Sequence, residues 1–323
     1  MKILFLLLRA MLIIGAGTYI IIFLMLTSFQ KTLIYPGVKM YFEQGPDRTL
    51  YQETLAASGY EIWKSESGKS WGLKQLNEGA EFNWMIFYGN GDHALRAAGW
   101  GRFLEKRLPA GSKANYYILE YPGYALNYTE ESAKTISEET VIAAAIGAWE
   151  EIPKDKPVMV FGQSMGAAVA IQTAAHFPDE VSGVLLTNPY TTLADAAGQY
   201  LNGLLGPLAQ LFPLTWMLED QYISLEHIQK FSGPVAMVAG EQDTLTPPRF
   251  AEQLYAQVKQ PAGFWIQEDV GHWVDPNLDQ EWNAFVIKLL HHSIKGISWQ
   301  SGGDSLLRSE LDLNSANDEN GSQ

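Results

Sequence analysis

Short apolar runs alternate with amphipathic segments through the middle of the chain. The apolar runs predict strands over residues 60–64, 70–76, 82–88, 114–121, 158–161, 184–187, 235–239 and 263–267. Several lack polar–apolar alternation, which is typical of strands covered on both faces. Helices are predicted over residues 137–151, 165–176, 250–258 and 278–292. This alternation predicts an α/β fold with a mostly parallel central sheet flanked by helices, whose ligands bind at the carboxyl ends of the strands. Ser67 and Gly68 predict a hairpin turn between the first two strands.

One long segment, residues 190–231, interrupts this alternation. It contains Gly206-Pro207, Pro213 and a cluster of apolar residues, namely Leu204, Leu205, Leu208, Leu211, Phe212, Leu214, Trp216 and Met217. An insertion of this length within a compact domain usually has a function. We interpret it as a short cap over the sheet edge. An ordinary pair of packed helices is the alternative.

The N-terminal residues are apolar in a different way. Lys2 and Arg9 precede residues 10–30, which carry no formal charge and are long enough to cross a bilayer as a helix. A cleaved signal peptide would have a shorter apolar region and a small-residue cleavage site, which residues 26–30 do not resemble. We predict a transmembrane anchor over residues 1–29. Lys2 and Arg9 favour a cytoplasmic N-terminus and a folded domain on the non-cytoplasmic side, although Lys31 and Lys39 weaken this bias.

Composition sets further limits. Residues 299–323 are rich in Ser, Gly, Asn and Asp and predict a disordered acidic tail, which leaves residues 30–298 for the folded domain. The formal net charge of −14 argues against binding to nucleic acid. The chain has no cysteine, which excludes disulfides, thiolate metal sites and cysteine nucleophiles. Its His, Asp and Glu residues show no metal-ligand spacing, and we predict no metal and no cofactor.

The candidate nucleophile is Ser164. It lies in Gly162-Gln163-Ser164-Met165-Gly166, a G-x-S-x-G pattern between a predicted strand and a predicted helix. A serine on such a tight turn projects from the sheet, and neighbours without Cβ atoms let the strand and the helix pack closely. The turn also places Ser164 at a helix N-terminus, where backbone N–H groups favour negative charge.

A serine nucleophile needs a base and an acid that orients the base. In this topology the acid and then the histidine follow the serine along the chain. Asp243 and His272 each follow a predicted strand in that order. Glu241 is the rival acid, and Asp269 is interpreted as a turn residue. His93 follows the glycine-rich loop after residues 82–88 and could touch the site.

The oxyanion of an acyl-transfer intermediate needs fixed hydrogen-bond donors. The N–H of Met165, directly after the nucleophile, is one candidate. The second is the N–H of Asn90, because Gly89-Asn90-Gly91 lets the backbone approach a ligand; Gly91 is the fallback.

Taken together, five motifs make the chain resemble the α/β-hydrolase superfamily. They are Tyr88-Gly89-Asn90-Gly91, Glu120-Tyr121-Pro122-Gly123-Tyr124, Gly162-Gln163-Ser164-Met165-Gly166, residues 240–247 and Gly271-His272. The chain is most similar to a subgroup of membrane-anchored serine hydrolases that includes eukaryotic protein depalmitoylases and bacterial serine-aminopeptidase-like proteins. Tyr88 stands where that group usually has histidine, and Pro122 where it usually has arginine. Loops of this kind shape the substrate pocket, so we predict substrate contacts from Tyr88, Gly89, Gly91, Tyr124 and Trp273.

Three functions follow from these residues. The leading one is a membrane-anchored serine hydrolase that cleaves a small-molecule or lipid-like acyl ester or thioester through Ser164, His272 and Asp243. A serine aminopeptidase is the alternative enzyme, with Asp92 and Glu120 as the groups that would hold a substrate amine. A catalytically silent scaffold for protein binding is the alternative of another class.

Overall fold

The computed structural model describes residues 2–40, 48–64 and 71–294. In these residues, eight strands form one sheet in the order β1-β2-β4-β3-β5-β6-β7-β8. The strands are β1 Glu61–Lys64, β2 Trp71–Gln75, β3 Phe82–Phe87, β4 Ala114–Glu120, β5 Val158–Gln163, β6 Val181–Thr187, β7 Pro234–Gly240 and β8 Gln260–Gln267. Strands β1, β2 and β4 pair antiparallel, and all the other neighbours pair parallel. The predicted α/β fold with a mostly parallel sheet is therefore confirmed. The predicted turn at Ser67 and Gly68 and the predicted tail over residues 299–323 lie outside the described residues.

Helices follow most of the strands. They are α1 Lys2–Ile34, α2 Gly37–Met40, α3 Arg48–Ser58, α4 Ala94–Glu105, α5 Glu130–Thr135, α6 Glu138–Glu151, α7 Met165–His176, α8 Leu193–Leu205, α9 Leu214–Met217, α10 Ser224–Ile228, α11 Pro248–Tyr255 and α12 Asp279–Ser293. Two 3-10 helices cover Ala125–Asn127 and Gly206–Leu211. Ser137 caps α6, because its side chain accepts a hydrogen bond from the Thr140 N–H.

Helices cover both faces of the sheet. Helix α7 packs against β3, β5 and β6, with α6 and α10 against it. Helices α4 and α12 lie together, with Phe103 edge-on to Trp282 at 4.8 Å between ring centroids. The sequence pattern did not predict α4, because Gly99 and Gly101 interrupt its apolar face. A Cβ at Gly101 would overlap the Tyr60 hydroxyl, so this glycine allows the helix to lie close to the sheet.

The N-terminal helix continues past residue 29 to Ile34 and packs along the folded domain. The Tyr19 ring stacks on Phe212, with centroids 5.0 Å apart, and the Tyr19 hydroxyl donates to the Leu211 carbonyl oxygen over 3.2 Å. Further along the helix, the Gln30 side-chain oxygen accepts a hydrogen bond from the Glu219 N–H over 2.9 Å. Residues 211–219 therefore run beside α1, within what we call the cap segment, residues 190–231.

The chain just after α1 is also tied to the cap segment. The Tyr35 hydroxyl, which is buried, donates to Asp220 Oδ2 over 2.7 Å and lies 3.2 Å from the Tyr222 hydroxyl. Among the described helices, α1 alone has the length and the apolar composition to cross a membrane. This helix is therefore compatible with a membrane anchor, and it is continuous with the domain.

Candidate active site

Ser164 lies between β5 and α7 in a backbone conformation that side chains rarely adopt, with φ of 54° and ψ of −119°. The turn is possible because its flanking positions have no Cβ. A Cβ at Gly162 would lie 2.5 Å from the Gly166 carbonyl oxygen and 2.7 Å from the Ala170 Cβ. A Cβ at Gly166 would lie 2.7 Å from the Tyr88 nitrogen. The two glycines of the motif thus let β5, α7 and the end of β3 meet around the serine.

The structure brings the three residues of the predicted triad together. His272 Nε2 lies 3.2 Å from Ser164 Oγ, and His272 Nδ1 lies 2.8 Å from Asp243 Oδ2. Ser164 follows β5, Asp243 follows β7 and His272 follows β8, so all three meet at the carboxyl edge of the sheet. This geometry suits a histidine that removes a proton from a serine hydroxyl while a carboxylate orients the ring.

Asp243 is buried and surrounded by hydrogen-bond donors. Its Oδ1 accepts from the N–H groups of Leu245 and Thr246 over 2.8 and 2.9 Å, and its Oδ2 accepts from the Thr246 hydroxyl over 2.7 Å. Burial alone would raise the pKa of Asp243. The hydrogen bond and charge attraction of His272, together with the Thr246 donors, outweigh it and hold the pKa below its usual value. The carboxylate is therefore ionised near neutral pH.

Two supporting residues were not found from the sequence. The Asn188 side chain donates to Asp243 Oδ2 over 2.8 Å, and the Asn188 backbone has a positive φ of 49°. Thr246, besides its bonds to Asp243, has its hydroxyl 3.2 Å from His272 Nδ1. Asparagine tolerates the left-handed region better than most residues, and its position directly after β6 was a signal for this role.

The rival residues lie elsewhere. The Glu241 carboxylate accepts a hydrogen bond from the Asp269 N–H over 3.2 Å in an exposed turn. Asp269 has a positive φ of 57°, which fits its interpretation as a turn residue. His93 is the N-cap residue of α4, and burial lowers the pKa of its imidazole to about 4.

The loop after β3 approaches the nucleophile at Gly89. A Cβ at that position would lie 3.6 Å from the Ser164 Cβ, and the Gly89 N–H donates to Gln163 Oε1 over 3.3 Å. Asn90 is held on two sides. Its side chain donates to the Ile34 carbonyl oxygen over 2.8 Å, and its carbonyl accepts from the Tyr124 hydroxyl over 2.7 Å. Its N–H and that of Met165, the first residue of α7, stay our candidate oxyanion donors.

The predicted substrate contacts need one correction. The side chains of Tyr88 and Tyr124 are fully buried, so they support the loop from beneath and do not offer a surface to a substrate. Tyr88 and Tyr124 were predicted as contacts only because they lie beside the glycines. Trp273 is different, because it is 61% exposed and its ring lies 6.1 Å from the His272 ring. Gly89 and Gly91 stay as predicted backbone contacts.

The acidic residues near this loop are buried as well. Glu120 Oε1 accepts from the Tyr88 hydroxyl over 2.6 Å and from the Ala94 N–H over 3.2 Å. Burial raises the pKa of Glu120 to about 7, and these hydrogen bonds only partly oppose it. Burial likewise raises the pKa of Asp92, which lies 3.8 Å from the Arg96 guanidinium. In the part of the chain that the structure describes, no group of three or more His, Asp or Glu side chains could hold a metal ion.

Comparisons with known proteins show what the chain is similar to. A family model described as "Serine aminopeptidase, S33" matches residues 139–224, which include Ser164. The α/β hydrolase domain-containing protein WAV2 of Arabidopsis thaliana is 25% identical over 72% of this chain and 77% of its own length. The protein bem46 of Schizosaccharomyces pombe is 24% identical over 69% of this chain and 73% of its own length.

A solved esterase of Pyrococcus furiosus has the same fold. It superposes with a TM-score of 0.54 at 15% identity, over 74% of this chain and 93% of the esterase. The sheet, the serine turn and these relatives show an α/β-hydrolase fold, and the similar proteins support a hydrolytic enzyme.

Proposed function

We propose that this chain is a membrane-tethered serine hydrolase that cleaves an ester or a thioester. The observation that carries the proposal is the continuous contact from Ser164 Oγ to His272 Nε2 and from His272 Nδ1 to Asp243 Oδ2. The strained backbone at Ser164 adds to it, because strain of this kind is kept where a function requires it.

The proposed reaction has two halves. Ser164 Oγ attacks the acyl carbon while His272 Nε2 takes the hydroxyl proton, and Asp243 stabilises the resulting imidazolium. The N–H groups of Met165 and Asn90 stabilise the oxyanion. His272 then protonates the departing alcohol or thiol, which leaves an acyl group on Ser164. Water, deprotonated by His272, then attacks the acyl carbon. The acyl–Oγ bond breaks, the carboxylic acid leaves, and His272 returns the proton to Ser164 Oγ.

Burial of the nearby acids favours an ester over an aminopeptidase substrate. A substrate amine needs an accessible carboxylate, but Glu120 is fully buried and Asp92 is 5% exposed. The exposed group beside the histidine is the Trp273 ring, which suits an apolar acyl chain. We therefore place an acyl ester ahead of a peptide, even though the matched family model carries the aminopeptidase description.

The test uses the full chain in detergent micelles. A fluorophosphonate probe should label the wild type, and the Ser164→Ala variant should be unlabelled at an unchanged melting temperature. The wild type should also hydrolyse p-nitrophenyl acyl esters faster than aminoacyl p-nitroanilides. The reverse preference would support the aminopeptidase, and a folded wild type that neither labels nor hydrolyses would support the scaffold.

The membrane tether is the second part of the proposal. Helix α1 would cross the bilayer, and Lys2 and Arg9 would keep its N-terminus in the cytoplasm, which places the domain on the other side. The absence of cysteine from the chain makes this directly measurable. A Leu76→Cys variant, exposed on the domain, should react with a membrane-impermeant maleimide in intact cells. Reaction only after permeabilisation would place the domain in the cytoplasm.

A further inference from the structure

The cap segment carries a group of exposed apolar side chains that we call the cap patch, namely Leu204, Leu208, Leu211 and Trp216. The three leucines are 60–64% exposed, and Trp216 is 91% exposed. Large apolar side chains clustered on a surface mark an interaction site more often than scattered ones do. The cap patch lies on α8, the following 3-10 helix and α9, outside the residues assigned to catalysis.

The cap patch is continuous with the middle of the N-terminal helix. Leu211 and Phe212 contact Tyr19, which lies near the centre of the charge-free residues 10–30. From Tyr19 to Gln30 the helix rises about 16 Å, at 1.5 Å per residue. If α1 crosses the bilayer, this end of the cap segment therefore lies well below the headgroups, within a hydrocarbon core about 30 Å thick.

The distribution of charged residues along the two segments supports the same depth in the bilayer. Residues 10–30 of α1 and residues 196–218 of the cap segment contain no Asp, Glu, Lys or Arg. Charge returns in both at the same place, where Lys31 Nζ lies 3.9 Å from Glu219 Oε2. Next to this pair, the Gln30 side chain binds the Glu219 N–H. If both segments faced only water, nothing would require both to be free of charged residues and to regain charge at the same point.

We propose that the cap patch is inserted into the hydrocarbon of the bilayer leaflet next to the domain, with Lys31 and Glu219 at the headgroup level. This inference rests on the proposed membrane tether and adds a second membrane contact to it. Acyl substrates dissolved in the bilayer then reach the cap from the hydrocarbon side without crossing water.

The test places one environment-sensitive fluorophore on the full chain in nanodiscs. The labelled variants are Leu208→Cys in the cap patch, Leu12→Cys in the anchor and Leu76→Cys as the matched control. Leu76 is similarly exposed, but it follows β2 at the sheet edge where β4 begins, opposite the active site. All three carry Ser164→Ala, so that no readout depends on hydrolysis. The quencher is a nitroxide on the acyl chains of the lipid.

We expect quenching at positions 208 and 12 to be several-fold stronger than at position 76. Strong quenching at position 12 with none at position 208 would overturn the inserted cap and leave the tether standing. No quenching at position 12 would overturn the tether and the inserted cap together. A fluorophore at position 208 that is shielded but not quenched, in particles that hold two chains, would assign the cap patch to a second copy and overturn the proposal.

A second measurement tests delivery of substrate from the bilayer. Leu208→Glu should lower hydrolysis of a long-chain ester in nanodiscs by about tenfold, because a charged side chain is costly in hydrocarbon. Hydrolysis of a short soluble ester should be unchanged, and Leu76→Glu should change neither. Equal rates for Leu208→Glu and wild type on the bilayer ester would overturn delivery through the cap, as would an equal loss on both substrates.

Discussion

Two buried carboxylic acids, both at the carboxyl ends of strands in the sheet, differ in their surroundings. Asp243 follows β7, and Glu120 ends β4. The hydrogen bond and charge attraction of His272, together with the hydrogen bonds from Thr246, outweigh burial at Asp243 and hold its pKa below the usual value. At Glu120 burial dominates, and the pKa rises to about 7. The charge partner His272, and not burial alone, distinguishes the acid that stays charged.

The strand ends that carry Asp243 and Glu120 therefore have different roles. The strand end after β7 holds a fixed negative charge against the His272 ring, which is what a histidine base needs. The strand end after β4 holds an acid whose pKa is about 7, and this acid accepts a hydrogen bond from the Tyr88 hydroxyl beneath the loop that carries Asn90. One region supplies charge to the proposed reaction, and the other supplies support for a loop.

The largest expected effect is that of removing the charge at Asp243. We expect Asp243→Asn to lower kcat/KM by about 10⁴-fold, because the histidine loses both its orienting acceptor and its charge partner. The measurement is ester hydrolysis by the full chain in detergent. Glu241→Gln is the matched control and should retain wild-type activity, since Glu241 lies in an exposed turn. Equal losses in both variants would mean that the acid has been misassigned.

The burial of Glu120 should affect how the free energy of unfolding depends on pH. The pKa of Glu120 is about 7 in the folded chain against an ordinary value of 4.5. The folded state therefore holds the proton more tightly, and the free energy of unfolding falls as the pH rises from about 4.5 to about 7. The expected loss from this group is about 3 kcal/mol.

Glu120→Gln removes this group and should flatten that part of the profile. The measurement is chemical unfolding of wild type and variant at several values between pH 5 and pH 8. We expect the stability of the wild type relative to the variant to decrease across this range. A difference between the two proteins that does not change with pH would show that Glu120 does not titrate there.

The serine turn touches the end of β3 at Gly166, next to Tyr88, which binds Glu120. A Cβ there would lie 2.5 Å from the Phe87 carbonyl carbon and 2.7 Å from the Tyr88 nitrogen. Gly166→Ala should therefore destabilise the chain by about 2 kcal/mol through overpacking. Gly147→Ala, in α6 with open space around it, should instead stabilise by about 0.5–1 kcal/mol. Thermal unfolding of both variants measures the contrast, and a destabilised Gly147→Ala variant would contradict it.

The sequence predicted the region around Asp243 better than the region around Glu120. Apolar runs predict the sheet and α7. The positions of Ser164 and His272 follow from the serine motif and from the ends of the predicted strands, which are local features of the sequence. The burial of Tyr88 and Tyr124 depends on contacts between β3, β4 and the loop after β4, which no local pattern encodes. Sequence position alone suggested that these two tyrosines contact a substrate.

The contacts of the N-terminal helix were beyond sequence reasoning for a similar reason. The charge-free run indicated an anchor, but an anchor is expected to be separate from the site. The bond from Asn90 to the Ile34 carbonyl oxygen joins residues that are distant in the sequence. Such a pairing is decided by packing between segments, and helix α4 was missed in part because Gly101 serves packing in the same way.

The smallest expected effect tests whether this bond matters to the site. Asn90→Ala removes the side chain that holds the loop against α1 but keeps the backbone N–H that is our candidate oxyanion donor. We expect kcat for a short soluble ester to fall about fivefold, equivalent to about 1 kcal/mol for one hydrogen bond, with little change in KM. Asn202→Ala, at an exposed asparagine on α8, should change neither parameter. A rise in KM at unchanged kcat would assign Asn90 to substrate binding. An unchanged kcat and KM would show that the bonds from the Tyr124 hydroxyl and the Gly37 N–H to the Asn90 carbonyl oxygen suffice to hold the loop in place.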